Sequence, residues 1–414
     1  MGEPRCRFSG KPLKHTFVDL GLSPVANSNV RPTELNRPEK FYPLHVRVSE
    51  ESWLVQLEEF EGASAEEIFN PDYVYFSSYS DSWLAHARRY CDDMVERFGF
   101  GPRHEVIEVA SNDGYLLRWF KEYGIPVLGI EPAIAAADAA RRNHGIESVN
   151  QFLGVVTAQE VVASGHGADL LIGNNVLAHV PDINDFIGGL NVLLKPRGIL
   201  TMEFPHLLQL MSHNEFDTIY HEHFSYLSFL AVELMFAHHG LTIFDVEELP
   251  THGGSLRIFA RHIDTPQPTV SSRVTAMRQK EIEFGLKRIE TYERFGEQVK
   301  ATKRKLLRFL TDIKDRGKRI VGYGSPAKGN TLLNYCGIRT DFIDYVVDRN
   351  PRKQGLYTPG THIPILAPEK IFETKPDYVL ILPWNIKDEI MQQMAGIRDW
   401  GGQFIAPIPE PRVL

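Results

Sequence analysis

Three side chains suited to acid–base chemistry at carbon fall close together, Tyr220, Glu222 and His223, in the run Tyr220-His-Glu-His-Phe-Ser-Tyr-Leu-Ser228. Removing a proton beside a carbonyl requires a base, a partner that orients it and a hydrogen-bond donor for the oxyanion that forms. Histidine, carboxylate and phenol supply those three types. His221 and His223 lie two apart and face opposite ways in an extended segment, so the pocket is assigned to His223 with Glu222 beside it. A buried polar loop that satisfies its own hydrogen bonds is the competing reading. The chain has 16 histidines, and solitary ones such as His144, His166, His238 and His239 read as structural.

Two strand-to-helix turns are candidate ligand sites. In Val106-Ile-Glu-Val-Ala-Ser-Asn-Asp-Gly-Tyr-Leu-Leu117, an apolar strand containing Glu108 runs into Ser111, Asn112, Asp113 and Gly114 before a helix starts. Such a turn aims backbone N–H groups and a positive helix end at a polar ligand. The next strand ends at Glu131-Pro132, where a carboxylate can accept hydrogen bonds from both ribose hydroxyls. Glu131 as a helix cap beside Pro132 is the alternative. The turn lacks the G-x-G-x-x-G spacing that packs against a pyrophosphate, and S-adenosylmethionine has none. Asn174 and Asn175 stand at the end of the fourth strand, with His179 just beyond. This succession resembles a class I methyltransferase. The second turn, Gly322-Tyr-Gly-Ser-Pro-Ala-Lys-Gly-Asn330, adds a lysine and suits phosphate, with Asp348 and Trp384 at the same edge.

The elements that must position these residues follow from the apolar runs. Residues 105–260 alternate runs such as Val127–Ile130, Asp169–Ile172, Gly198–Met202 and Leu256–Ala260 with amphipathic stretches, which predicts a mostly parallel, doubly wound sheet. The alternation resumes at Arg319–Gly324, Phe342–Val347 and Tyr378–Leu382 as a second, smaller α/β unit. Between them, residues 269–315 are charged and helical in period and predict one long connecting helix. The expected organisation is α/β: a small irregular N-terminal lobe (1–70), a central Rossmann-like unit (71–262), a helical connector (263–316) and a C-terminal Rossmann-like unit (317–414). At 414 residues with 43% hydrophobic content, the chain can bury several cores. A net charge of −8 leaves no basic excess for nucleic acid or an anionic membrane. No apolar stretch reaches membrane-spanning length, and three dispersed cysteines suggest a reducing, cytoplasmic setting.

At Ser77-Ser-Tyr-Ser80, Glu108–Gly114, Tyr220–Ser228, His252-Gly-Gly-Ser-Leu-Arg257 and Gly324–Asn330 the chain resembles the bacterial sugar C-methyltransferases, which methylate carbon 3 of dTDP-4-keto-deoxysugars. The resemblance covers nearly the whole chain. It implies a zinc-binding lobe, a central domain for S-adenosylmethionine and a C-terminal domain that helps hold the sugar nucleotide, a small-molecule partner. It further implies cofactor contacts from Tyr79, Ser80 and Phe152, a substrate role for His179, and substrate contacts from Tyr75, His252, Ser255, Arg257, Ser325, Lys328, Asn330 and Trp384. Where the family carries two Cys-x-x-Cys pairs, this chain has Cys6-Arg-Phe-Ser9 and Ser49-Glu-Glu-Ser52. One thiolate with scattered histidines such as His15 and His45 is not a zinc ligand set, so no zinc is expected. Packing of Phe41, Tyr42, Trp53, Leu54 and Leu57 is expected to hold the lobe instead. The rival readings are an NAD(P)-dependent oxidoreductase using the second turn and a fold-retaining protein with altered substrate or no methyl transfer. Oligomeric state, the sugar and its nucleotide are left open.

Overall fold

A computed structural model describes residues 3–59, 77–79 and 81–414. Three sheets organise them. The first is antiparallel, with β1 (His15–Ser23), β2 (Tyr42–Val48) and β3 (Val55–Leu57) in sequence. Its inward positions alternate along β2, where Leu44, Val46 and Val48 are buried.

The central sheet has seven strands: β4 (Val106–Val109), β5 (Val127–Ile130), β6 (Ser148–Val149), β7 (Ala168–Asn174), β8 (Leu194–Pro205), β10 (Leu241–Leu249) and β11 (Ser255–His262). Their order is β6-β5-β4-β7-β8-β11-β10, with β11 antiparallel to both neighbours and the rest parallel. This is the class I methyltransferase arrangement. The order reverses between β4 and β7, so ligands belong at the carboxyl ends of those strands. Inserted between β8 and β10, the short β9 (Ser225–Tyr226) leaves this sheet and pairs with β3 instead. The loop carrying Tyr220–His223 is thereby held by the N-terminal strands as well as by its own unit.

The third sheet runs β14 (Ile365–Leu366), β13 (Val346–Val347), β12 (Ile320–Tyr323), β15 (Tyr378–Ile381), β16 (Gln403–Ala406) and β17 (Arg412–Val413), parallel except for its last strand.

Two expectations about the scaffold are corrected. The connector is two helices, Ser272–Phe284 and Ile289–Asp315, broken at Gly285, whose φ of +103° forms a left-handed cap that a continuous helix excludes. Of the residues expected to hold the lobe, Leu54 and Leu57 are fully buried and Trp53 packs against the core, while Phe41 takes no such part. Phe41 is 41% exposed, whereas Phe17 is fully buried and stacks on Phe295 of the second connector helix with ring centroids 4.5 Å apart. Trp53 stacks similarly on Tyr292 at 6.1 Å. One core joins Phe17, Val46 and Val55 of the lobe to Tyr292, Phe295 and Leu306 of the connector and Ile320 and Leu380 of the third sheet. Among the described residues no helix is long and apolar enough to cross a membrane.

Candidate active site

The first ligand edge is built at the ends of β4 to β7. Past β4 the chain turns through Ala110, Asn112 and Gly114, all at positive φ. Glu131, 5% exposed, accepts the Asn112 N–H at 2.9 Å and the Ala133 N–H at 2.8 Å. Its carboxylate therefore ties the turn to the helix start after Pro132, the capping role weighed above, and burial raises its pKa. Asn112 and Asp113 accept the Ser77 and Ser78 N–H groups (3.0 and 3.3 Å), and the Ser78 hydroxyl also donates to Asp113. The segment ahead of the central unit is thus seated on the turn. Glu108 lies inside β4, fully buried, with its pKa pushed well up by burial. Phe152 and Ile134, 49% and 63% exposed, flank the ends of β6 and β5. Tyr75, Ser80 and the Tyr79 side chain lie outside the described residues.

This edge suits S-adenosylmethionine. Ser111 Oγ, Ser148 Oγ, Asp113 Oδ1 and Asn175 Oδ1 are buried polar atoms without a hydrogen-bond partner, a costly condition that a polar ligand relieves. A Cβ on Gly129 would come within 2.3 Å of Ser111 Oγ and 2.6 Å of Ser148 Oγ, so only glycine leaves room between them.

The candidate reactive residues meet beside it. His223 directs Nδ1 at the Thr218 carbonyl (2.8 Å), so Nδ1 carries the proton and Nε2 the lone pair. Its ring lies 4.1 Å from the Tyr220 ring and 4.6 Å from the His179 ring, centroid to centroid. His179, on the turn Leu177–His179 after β7, donates from Nδ1 to the Glu222 carbonyl at 2.7 Å. Burial above all, together with the His179 ring, drives the His223 pKa well down, and burial takes His179 to about 4. Both rings are neutral at pH 7. His221 points the other way, its Nε2 3.2 Å from the Pro43 carbonyl.

Glu222 corrects one expectation. Its carboxylate does not orient His223; the Thr218 carbonyl does. Glu222 Oε1 instead accepts the Asn27 amide at 2.6 Å. Burial pushes its pKa up to about 7, against the pull of Asn27 and of the Lys353 ammonium.

The third sheet faces the same cleft. Lys328 lies 4.5 Å from the Trp384 ring centroid and donates to Asn385 at 3.0 Å, while Trp384 Nε1 donates to Asp217 at 2.7 Å. Burial raises Asp217 to about 6 and Glu215 to about 8, with Lys328 opposing both. Ser325 gives its N–H to Asp348 at 2.9 Å, and its fully buried hydroxyl has no partner. His252, at φ +55°, pairs with Asn175 at 3.2 Å.

Three residues expected at the substrate make hydrogen bonds within the protein. Arg257, 4% exposed, is locked on Glu203 at 2.8 Å. Ser255 donates to the Thr251 carbonyl at 3.0 Å within the strand edge. Asn330 is buried and donates to the Ala26 carbonyl at 2.8 Å. Asn27, Thr218, Asp217 and Lys353 were missed. Only Asp217, three residues before Tyr220, carried a sequence signal.

The four positions that stand for the family's zinc cysteines do converge. Cys6 Sγ lies 3.5 Å from Ser52 Oγ and accepts the Ser9 N–H at 3.5 Å, and Ser49 Oγ accepts the Ser52 N–H at 3.2 Å. His15 and His45 are engaged with glutamates elsewhere. One thiol and three hydroxyls do not fit zinc, and no group of three metal-ligating side chains occurs among the described residues.

A "Methyltransferase domain" family matches residues 83–246, a "C-methyltransferase C-terminal domain" family residues 250–409, and a "Putative zinc binding domain" family residues 6–69. The chain is 35% identical to the C-methyltransferase NovU of Streptomyces niveus over 99% of this chain and 96% of that protein. Among solved structures, an S-adenosylmethionine-dependent methyltransferase of Anabaena variabilis matches at 16% identity and a TM-score of 0.36, over 44% of this chain and 86% of that one. The PH0226 protein of Pyrococcus horikoshii matches at 16% and 0.37, over 49% and 100%.

Proposed function

As a member of the C-methyltransferase family, to which this chain belongs, the protein is an S-adenosylmethionine-dependent C-methyltransferase, and we propose that it acts beside the ketone of a nucleotide-linked 4-keto-deoxysugar. The observation that carries this reading is His223, neutral at pH 7 with Nδ1 pinned to Thr218, because that tautomer leaves Nε2 as the base. In this reading Nε2 takes the proton α to the ketone, and Tyr220, whose ring lies tilted against that of His223, donates to the enolate oxygen. S-adenosylmethionine supplies the electrophilic methyl group. The turn at Ser111–Gly114, Glu131, Asn174 and Asn175 hold it, with Phe152 and Ile134 beside the adenosine. Lys328, Trp384, Ser325 and His252 contact the substrate across the cleft. A cavity of about 580 Å³ lined by Tyr323, Arg349, Gln354, Pro368, Phe372 and Gln393 at the edge of the third sheet is large enough for a nucleoside.

Glu222 is the second reading for the base, favoured by a pKa of about 7 that matches a cellular working pH. Incubation with S-adenosylmethionine and dTDP-linked 4-keto-6-deoxysugars, followed by mass spectrometry, should show a product heavier by one methylene. Methylation on oxygen, or none across such a panel, overturns the assignment of substrate and position.

A further inference from the structure

Glu222 lies where three distant parts of the chain meet. From the N-terminal lobe comes the turn Pro24–Val30, whose Asn27 amide donates to Glu222 Oε1 at 2.6 Å. The third sheet grips that turn from behind: Asn330 donates to the Ala26 carbonyl at 2.8 Å, and Val30 and Tyr357 exchange backbone hydrogen bonds at 2.8 and 2.9 Å. Lys353, from the same unit, donates to the Ser325 carbonyl at 2.7 Å and is the charged group that acts on Glu222. The second carboxyl oxygen of Glu222 takes no hydrogen bond among the described residues.

Resting on the reading of Tyr220–His223 as the reaction centre, we propose that Asn27 is a positioning residue of the active site: its amide fixes one oxygen of Glu222 and leaves the other for the substrate. The N-terminal lobe then completes the catalytic cleft, a role independent of any metal. A buried carboxylate held by one amide and one remote ammonium is poised between its charged and neutral forms. Ionised, its free oxygen accepts from a sugar hydroxyl; protonated, it donates. Asn27 favours the ionised form because its N–H bonds more strongly to a charged carboxylate oxygen than to a neutral carboxyl.

The test reads Glu222 directly. Protein carrying [δ-13C]glutamate is titrated by NMR, with the Glu222 resonance identified by its loss in Glu222→Gln. It should titrate near neutral pH in the native protein and about half a unit or more higher in Asn27→Ala. Asn27→Asp keeps the side-chain volume but trades the donor for a charge, so it should move the titration further still. Packing alone predicts the opposite order, with Asp the milder change. Calorimetric binding of S-adenosylmethionine certifies that each variant is folded. Should both fail to fold, Asn330→Ala, which frees Ala26, is expected to move the titration in the same direction. A Glu222 titration unchanged in the folded variants overturns the proposal. If no ketosugar is methylated, the substrate reading fails while this titration still judges Asn27.

Discussion

Burial sorts the protons of this cleft in opposite directions, pushing histidine pKa values down and carboxylic acid pKa values up. Unfolded, His179, His221 and His223 would bind protons below about pH 6.5 that the folded rings refuse. Glu222 and Glu215 do the reverse, keeping protons to about 7 and 8 that the unfolded chain releases near 4.5. Above about pH 7.5 the unfolded histidines too have lost nearly all their protons, and only the acids contribute. The folded state then holds more protons than the unfolded one, chiefly on Glu215, so stability should fall as pH rises from about 7.5 to 8.5, by at most about 1.4 kcal/mol per pH unit for each proton. Urea denaturation at the two pH values checks this, and Glu215→Gln should flatten the slope. The residue types at the centre were legible in sequence, their connections only partly. Glu222 sits beside His223 in the chain, yet the orienting acceptor is the Thr218 carbonyl, and a backbone oxygen has no sequence signature. Asn27 lies 195 positions from its partner.

At the scale of elements, strands that bury a continuous apolar run could be located from sequence, as β4, β5, β7 and β15 show. Two-residue strands such as β6, β9 and β14 carry too little pattern to be seen. The connector break escaped because both sides keep the same charged, helical period, and only Gly285 marks the cap. The first turn depends on a single carboxylate. Glu131→Ala would leave the Asn112 and Ala133 N–H groups without an acceptor, so calorimetry should show S-adenosylmethionine affinity weakened roughly tenfold or more. Unchanged affinity would mean that the turn holds its shape without Glu131 and that the ribose is bound elsewhere. In the lobe, the site standing for zinc has become a small hydrogen-bonded knot around Cys6. Elemental analysis of protein purified without chelator should find far less than one zinc per chain, and a stoichiometric reading would contradict that.

Across the whole molecule, the division into units read from sequence hides a shared interior. The lobe, the connector and the third sheet contribute to one core, so they should unfold together. Phe17→Ala removes a fully buried ring stacked on Phe295 and should cost about 3–5 kcal/mol. Calorimetry should show the loss in the transition of the third sheet too, although Phe17 lies far from it in sequence. A lobe that melts separately would contradict the shared core. That core also brings Lys328, Trp384 and Asn27 around the Tyr220–His223 loop, so the proposed reaction centre is assembled from all three sheets. The most direct test of its chemistry is solvent deuterium uptake at the carbon α to the ketone of a dTDP-4-keto-6-deoxysugar, measured by NMR in D2O without methyl donor. The native protein should exchange that position, and His223→Asn should exchange about 10²–10⁴-fold more slowly while binding S-adenosylmethionine normally. Exchange by His223→Asn as fast as by the native protein would contradict His223 as the base.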